Sequence, residues 1–174
     1  WKNKQLFSSP FNLAIQKGDT MSRSQGVLFH NTANGKVGYH EEGDEKNDGK
    51  YEGEIENGLP NGQGTFTFPN STQIYVGTFK DGLREGKGTY TWSDGGKYEG
   101  EYRNNIRNGK GKRTTPDGSI GEGEFHDGDL WNGTIMDKDG DIISKIANGV
   151  ELNLLTTEVY SYVEWNENET TTQT

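Results

Sequence analysis

The sequence repeats itself with a period of about 23 residues, and this repeat constrains the fold more than any other feature. A Tyr-Glu-Gly-Glu motif begins at Tyr51, recurs in varied form at Tyr75 and unaltered at Tyr98, and decays to Gly-Glu-Gly-Glu at Gly121. A fixed period of this length is typical of stacked supersecondary units, each of which buries its apolar face only against its neighbours. The repeat therefore predicts an array, and it favours a binding surface over an active site.

The first half of each unit reads as a strand followed by a tight turn. Tyr51, Gly53 and Ile55 alternate with glutamates, which is the pattern of a half-buried strand. Asn-Gly and Asp-Gly pairs tolerate the positive φ angles of two-residue hairpin turns. The predicted turns are Asn57-Gly58, Asp81-Gly82, Asn104-Asn105, Asp127-Gly128 and Asn148-Gly149.

The second half of each unit begins with two glycines one residue apart, at Gly62 and Gly64 in the first unit. Paired glycines let aromatic rings lie close over the backbone, or they mark a bulge. A strand follows in which aromatic residues alternate with threonines, as in Tyr90 and Trp92 of the second unit. The third unit has Arg113 and Thr115 at these two positions.

The pattern predicts an all-β fold: one elongated, twisted antiparallel sheet of hairpin repeats. About five units over residues 51–149 give roughly ten strands, or about 45–50 Å of sheet. Residues 1–48 are predicted to be irregular, with a short helical turn at 10–16, a strand of a degenerate leading repeat at 26–29 and a loop at 41–48. We expect residues 150–165 to cap the array and residues 166–174 to form a polar tail.

The composition narrows the functional classes. Only 28% of residues are hydrophobic and the net charge is -9, so the core is expected to be thin and mostly aromatic, and nucleic-acid binding is disfavoured. The absence of cysteine excludes disulfides and cysteine-based metal sites. No apolar run is long enough for a transmembrane helix, which predicts a soluble or peripheral protein in an unassigned compartment. The start at Trp1 favours a processed or trimmed product.

The units at 75–90 and 98–111 resemble the MORN repeat (membrane occupation and recognition nexus), because several of its positions recur together at fixed offsets. The resemblance covers about 51–149 and implies a single twisted antiparallel sheet with a grooved face. MORN arrays bind proteins at least as often as they bind lipid, so the resemblance alone does not settle the function.

No constellation for catalysis is found, and we expect no enzyme activity, cofactor, metal or small-molecule substrate. His30, His40 and His126 are scattered without the order or spacing of a triad or metal site. The segment 137–141 begins like an EF-hand loop, but Ile142 and Asn148 stand where that loop needs Gly and Glu. We interpret it as a turn between units, like those at 93–96 and 116–118.

Two sets of residues are candidates for binding. A basic cluster in an acidic chain could meet an acidic partner or lipid surface, although a solvated strand face with weak ion pairs is the alternative. Its members are Lys97, Arg103, Arg107, Lys110, Lys112 and Arg113. Aromatic residues are expected to form the core of the sheet while leaving part of their rings accessible as interface anchors in a groove. These are Tyr51, Tyr75, Tyr90, Trp92, Tyr98 and Tyr102.

Three functional hypotheses follow. The first is a non-enzymatic protein-binding or scaffold module that works within a larger assembly. The second is a peripheral membrane adaptor that binds acidic phospholipid through the basic cluster. The third is a targeting module trimmed from a larger enzyme.

Overall fold

The structure, a computed structural model, describes residues 23–33 and 35–153, and all twelve strands in this part belong to one antiparallel sheet. The strands are β1 Ser24–Ala33, β2 Lys36–His40, β3 Gly49–Glu56, β4 Leu59–Thr67, β5 Ile74–Lys80, β6 Leu83–Thr91, β7 Lys97–Arg103, β8 Ile106–Thr114, β9 Ile120–His126, β10 Asp129–Met136, β11 Ile142–Ala147 and β12 Val150–Asn153. The predicted all-β hairpin array is thus confirmed.

Strands β3 to β12 follow one another across the sheet in chain order and make five hairpins. The array extends to Asn153, so its last strand lies in the segment predicted as a C-terminal cap. The rest of that segment, the polar tail and the predicted helical turn at 10–16 lie outside the described residues.

The leading hairpin does not continue this order. Strand β1 contains the predicted strand at 26–29, but it is β1 that pairs with β3, while β2 lies at the edge. The connection 41–48 is the predicted loop, and it packs at Gly43 against Phe29, on the face opposite Leu28 and Tyr51. Residues 1–48 are therefore not irregular throughout, because a hairpin within them extends the sheet in a reversed order.

The turns within the hairpins have the predicted left-handed backbone. Both turn residues have positive φ in each of the five, from 53° and 75° at Asn57 and Gly58 to 51° and 75° at Asn148 and Gly149. Two consecutive positive φ angles define a type I′ turn, whose twist matches that of paired strands. Each turn after the first also bonds to the preceding unit, as in the donation from the N–H of Gly82 to the carbonyl of Pro60 at 2.9 Å.

Three of the four loops between units are also alike, and this explains the EF-hand-like segment. Gly95, Gly118 and Gly140 each donate an N–H to the carbonyl three residues earlier. In the last loop the Asp137 carboxylate accepts the N–H groups of Asp139 and Asp141, both at 2.9 Å. The segment is therefore a turn between units, as the sequence indicated, and Asp137 caps it.

A row of nine glycines crosses the middle of the sheet, with each glycine paired to the next. They are Gly26, Gly53, Gly64, Gly77, Gly88, Gly100, Gly111, Gly123 and Gly133. Tyr51, Tyr75 and Tyr98 lie flat against six of them, and their hydroxyls donate to the carbonyls of residues 54, 78 and 101 at 2.6, 3.1 and 3.2 Å. The predicted close approach of rings to backbone is thus found at the second glycine of each pair.

The first glycine of each pair marks a bulge instead. Glu54 alone faces three residues of the partner strand, 61–63, and Gly62 within them has a φ of 116°. The Glu54 carboxylate accepts the N–H of Gln63 at 3.0 Å, and this bond holds the pKa of Glu54 below its usual range. Glu101 receives the N–H of Lys110 in the same way at 2.9 Å.

The fourth unit lacks the tyrosine and keeps only a reduced bulge. Gly121 stands where the first three units have tyrosine, and the bulge shrinks to the single residue Trp131. Gly133 still pairs with Gly123, so the glycine row continues although no tyrosine covers it. This hairpin is therefore aligned by backbone pairing and by the leucine and phenylalanine at its base, Leu130 and Phe125.

We predict that replacing Gly86 and Gly88 together by valine destabilises the protein by about 3 kcal/mol or more. A Cβ at Gly88 would lie 2.5 Å from Cε2 of Tyr75, and Gly86 has a φ of 70° that a β-branched residue avoids. Thermal unfolding followed by circular dichroism measures the change. Gly121→Ala is the matched control, because its nearest side-chain atom, on Leu130, lies at an ordinary 3.6 Å. An unchanged melting temperature for the double variant would contradict this account of the glycine row.

Candidate functional site

One face of the sheet carries a continuous row of aromatic rings, here named the inner row. Its rings meet edge to face at centroid distances of 4.9–5.4 Å. The members are Tyr51, Phe79, Tyr75, Tyr102, Tyr98 and Phe125. Edge-to-face contact is the preferred geometry of aromatic pairs, and the rings join each unit to the next.

A second, shorter row lies beside the first and is here named the outer row. It consists of Phe66, Phe68, Tyr90 and Trp92, with centroid distances of 4.9–5.3 Å. Phe68 and Trp92 are only partly buried. The outer row therefore offers ring surface that the inner row does not.

Two arginines lie between the rows at equivalent positions of successive units. The Arg84 guanidinium lies 5.6 Å from the ring centroids of Tyr75 and Tyr90 and 5.4 Å from that of Tyr102. Arg107 lies 5.5–5.9 Å from the rings of Trp92, Tyr98 and Phe125. Both are half-buried, and each stacks on two rings of the inner row and one of the outer. These are cation–π contacts, which strengthen as the cation loses water.

Arg113 ends the outer row. It occupies the place of Phe66 and Tyr90 in the third unit, and its guanidinium lies 5.7 Å from the Trp92 ring centroid. The substitution that the sequence showed at this position thus keeps contact with the outer row while replacing a ring by a cation.

A shallow groove of about 310 Å³ opens between the rows, here named the arginine groove. It is lined by Arg84, Arg107, Tyr90, Trp92, Tyr102, Asn105, Ile106 and Gly128. Half of the six predicted groove aromatics thus line a groove. Tyr51, Tyr75 and Tyr98 have no exposed surface, because each ring is held between the glycine row and its neighbours. Their predicted accessibility was wrong, whereas their place in the core is confirmed.

The predicted basic cluster divides between the two faces. Arg107 and Arg113 pair with Tyr102 and Tyr98 and share the aromatic face. Lys97 and Arg103 flank those tyrosines in β7 and thus lie on the opposite face. Lys110 and Lys112 also lie there, opposite Glu124 and Glu122 of β9.

The opposite face is balanced in charge. A broad groove of about 990 Å³ runs over the glycine row, with lysines and glutamates along its walls. Lys97 bonds Glu99 at 3.0 Å, and Lys87 pairs in register with Glu101. Such exposed pairs contribute little stability, but they offset the positive charge of the lysines.

Sequence reasoning did not single out Arg84 as a candidate. Its signal was present, since Pro60, Arg84, Arg107 and Leu130 follow the hairpin turns at the same offset. Within the described ranges, no three histidine or acidic side chains converge as a metal site, and no helix could cross a membrane.

A single open sheet of stacked hairpins with one recurring residue pattern defines a β-hairpin repeat protein. The MORN repeat family model matches residues 51–73, 75–97 and 98–120, so this part of the chain consists of MORN repeats, and the resemblance is confirmed over these residues. The hairpins β9–β10 and β11–β12 continue the sheet beyond the matched residues. MORN repeats are commonly binding or scaffold modules and are not typically catalytic. Comparison with curated proteins finds no match.

We predict that the fold loses stability as the pH rises from about 10 to about 12. Burial raises the pKa of Tyr75 and Tyr98 from 10.0 to about 12, against the opposing charges of Arg84 and Arg107. The unfolded chain therefore releases its phenolic protons first, and the free energy of unfolding is intact below pH 10 and falls above it. Melting curves across this range, with tyrosinate absorbance, measure the effect.

Tyr98→Phe provides the control for this pH dependence. The variant loses one titrating group, so its stability should fall less between neutral and alkaline pH than that of the wild type. At neutral pH the variant should be less stable than the wild type, because it lacks the hydrogen bond to the carbonyl of residue 101. Tyrosinate absorbance that rises fully near pH 10 without loss of the strand signal would contradict the prediction.

Proposed function

We propose that this chain is a non-enzymatic protein-binding module that serves as a scaffold within a larger assembly, and that its aromatic face is the binding surface. One observation carries the proposal. Every strand of the described residues belongs to one sheet, so no other element among these residues covers the outer row and the arginine groove. Partly exposed aromatic and arginine side chains on a rigid support are the residues that anchor protein interfaces.

Four tyrosine rings of the aromatic face are held in place by hydrogen bonds as well as by packing. The three buried tyrosines are bonded to carbonyls, and Tyr90 of the outer row donates its hydroxyl to the Gln73 side chain. A partner that docks on pre-ordered side chains loses less conformational entropy on binding, which favours affinity.

The membrane alternative has weaker support. Anionic lipid attracts clustered cations, but four of the six predicted cluster residues lie on the opposite face. Lys110 and Lys112 there stand opposite glutamates in register, and Lys97 is bonded to Glu99. Neutralised pairs attract an anionic surface poorly.

A photo-crosslinking experiment tests the proposal. The ring of Trp92 is replaced by p-benzoylphenylalanine on the aromatic face, and Val76, which is 49% exposed on the opposite face, is replaced in a matched variant. In extracts of the native source we expect the first variant alone to give a discrete cross-linked protein, which Trp92→Ala then binds at least about tenfold more weakly. Cross-links from position 76 alone, or from neither position, would contradict the proposal.

A further inference from the structure

The arginine groove holds two cations whose hydrogen-bonding capacity is largely unused. A guanidinium has five N–H donors. Arg84 directs its Nε and one terminal nitrogen to Asn105, at 3.3 and 2.9 Å. The Arg107 side chain donates to no acceptor among the described residues, and neither arginine forms an ion pair with a described carboxylate.

The arginine groove has no carboxylate among its lining residues, whereas the lysines of the opposite face lie among glutamates. The strand glutamates of β3, β7 and β9 alternate with the glycines and aromatic residues, and they therefore project from the opposite face. They are Glu52, Glu54, Glu56, Glu99, Glu101, Glu122 and Glu124. Arg84, Arg107 and Arg113 lie on the aromatic face. A chain with a net charge of -9 thus presents a positive groove.

The spacing of the arginines limits the ligand. They follow equivalent turns two strands apart, so their backbones are separated by about 10 Å, twice the interstrand spacing. Two carboxylates seven residues apart on a helix, or three apart in a polyproline II segment, are separated by a similar distance on one side of the chain. Trp92 and Ile106 also line the groove, and Ile106, which is 46% exposed, suits an apolar contact.

We propose that the arginine groove binds an acidic segment of a protein partner, with one carboxylate on Arg84, a second on Arg107 and an apolar side chain between them. This inference rests on the proposed function and names the chemistry of the partner. A peptide fits better than a membrane, because these two guanidiniums are half-buried against rings, whereas an anionic lipid surface pairs with cations that project into water.

Selection from a phage-displayed library of random peptides, about a dozen residues long, tests the inference. Peptides selected on the wild-type protein should be enriched in Asp and Glu at least about twofold over the unselected library. The selected peptides should bind the Arg84→Gln, Arg107→Gln double variant about tenfold more weakly per arginine, the size expected for a charge-assisted hydrogen bond. Binding to the wild type should also weaken with added salt, a readout that needs no variant.

Arg103→Gln is the matched control, because Arg103 is exposed on the opposite face and the variant should bind the peptides as the wild type does. Peptides without acidic enrichment that bind the double variant equally well would overturn the acidic assignment, while a cross-link at position 92 would still uphold the proposed function. No selection above background would overturn the inference, and the absence of that cross-link as well would overturn both. Vesicles containing phosphatidylserine that bind the wild type but not the double variant would assign the groove to lipid instead.

Discussion

The seating of a tyrosine ring on paired glycines is the interaction on which the rest of this structure depends. Tyr51, Tyr75 and Tyr98 each lie against two glycines of adjacent strands and donate a hydroxyl bond to the carbonyl three residues ahead. A side chain at either glycine would displace the ring, and a slip of one residue would place the ring on the other face. The contact therefore fixes the register of a sheet that has few aliphatic residues to fix it.

The arrangement of the binding face follows from this contact. Because the tyrosines are held at the glycine row, Phe79 and Tyr102 fill the gaps between them, and Phe125 ends the inner row beside Tyr98. Phe66 and Tyr90 of the outer row lie on the strands between those of the three tyrosines, and a flat cation fits between the two rows. Arg84 and Arg107 occupy it with their guanidiniums against rings, which explains how charge is tolerated at half-buried positions.

The sequence sufficed for the repeat, the turns and the single sheet, because each of these depends on local patterns that recur. The same alternation of faces that was read for Tyr51 could also have divided the basic cluster, since Lys97 flanks Tyr98 and must face away from it. The pairing of Lys112 with Glu122 could not be predicted from the sequence, because it depends on the register between units. The reversed leading hairpin could not be predicted either, because the loop 41–48 that crosses β1 occurs only once and so does not appear in the repeat pattern.

The repeat also explains why the candidate site includes residues of the regular units, and not only residues such as Arg113 that depart from the repeat pattern. Glycine, tyrosine and turn positions are committed to the fold, but the second position after each turn holds Pro60, Arg84, Arg107 and Leu130 in successive units. Pro60 is fully buried and Leu130 packs against the core, so the position accepts an apolar residue without harm to the fold. The fold therefore does not demand arginine at this position, although Arg84 and Arg107 pack well against the rings there. An acidic ligand, as proposed for the arginine groove, would give these two charges a role that the fold does not require.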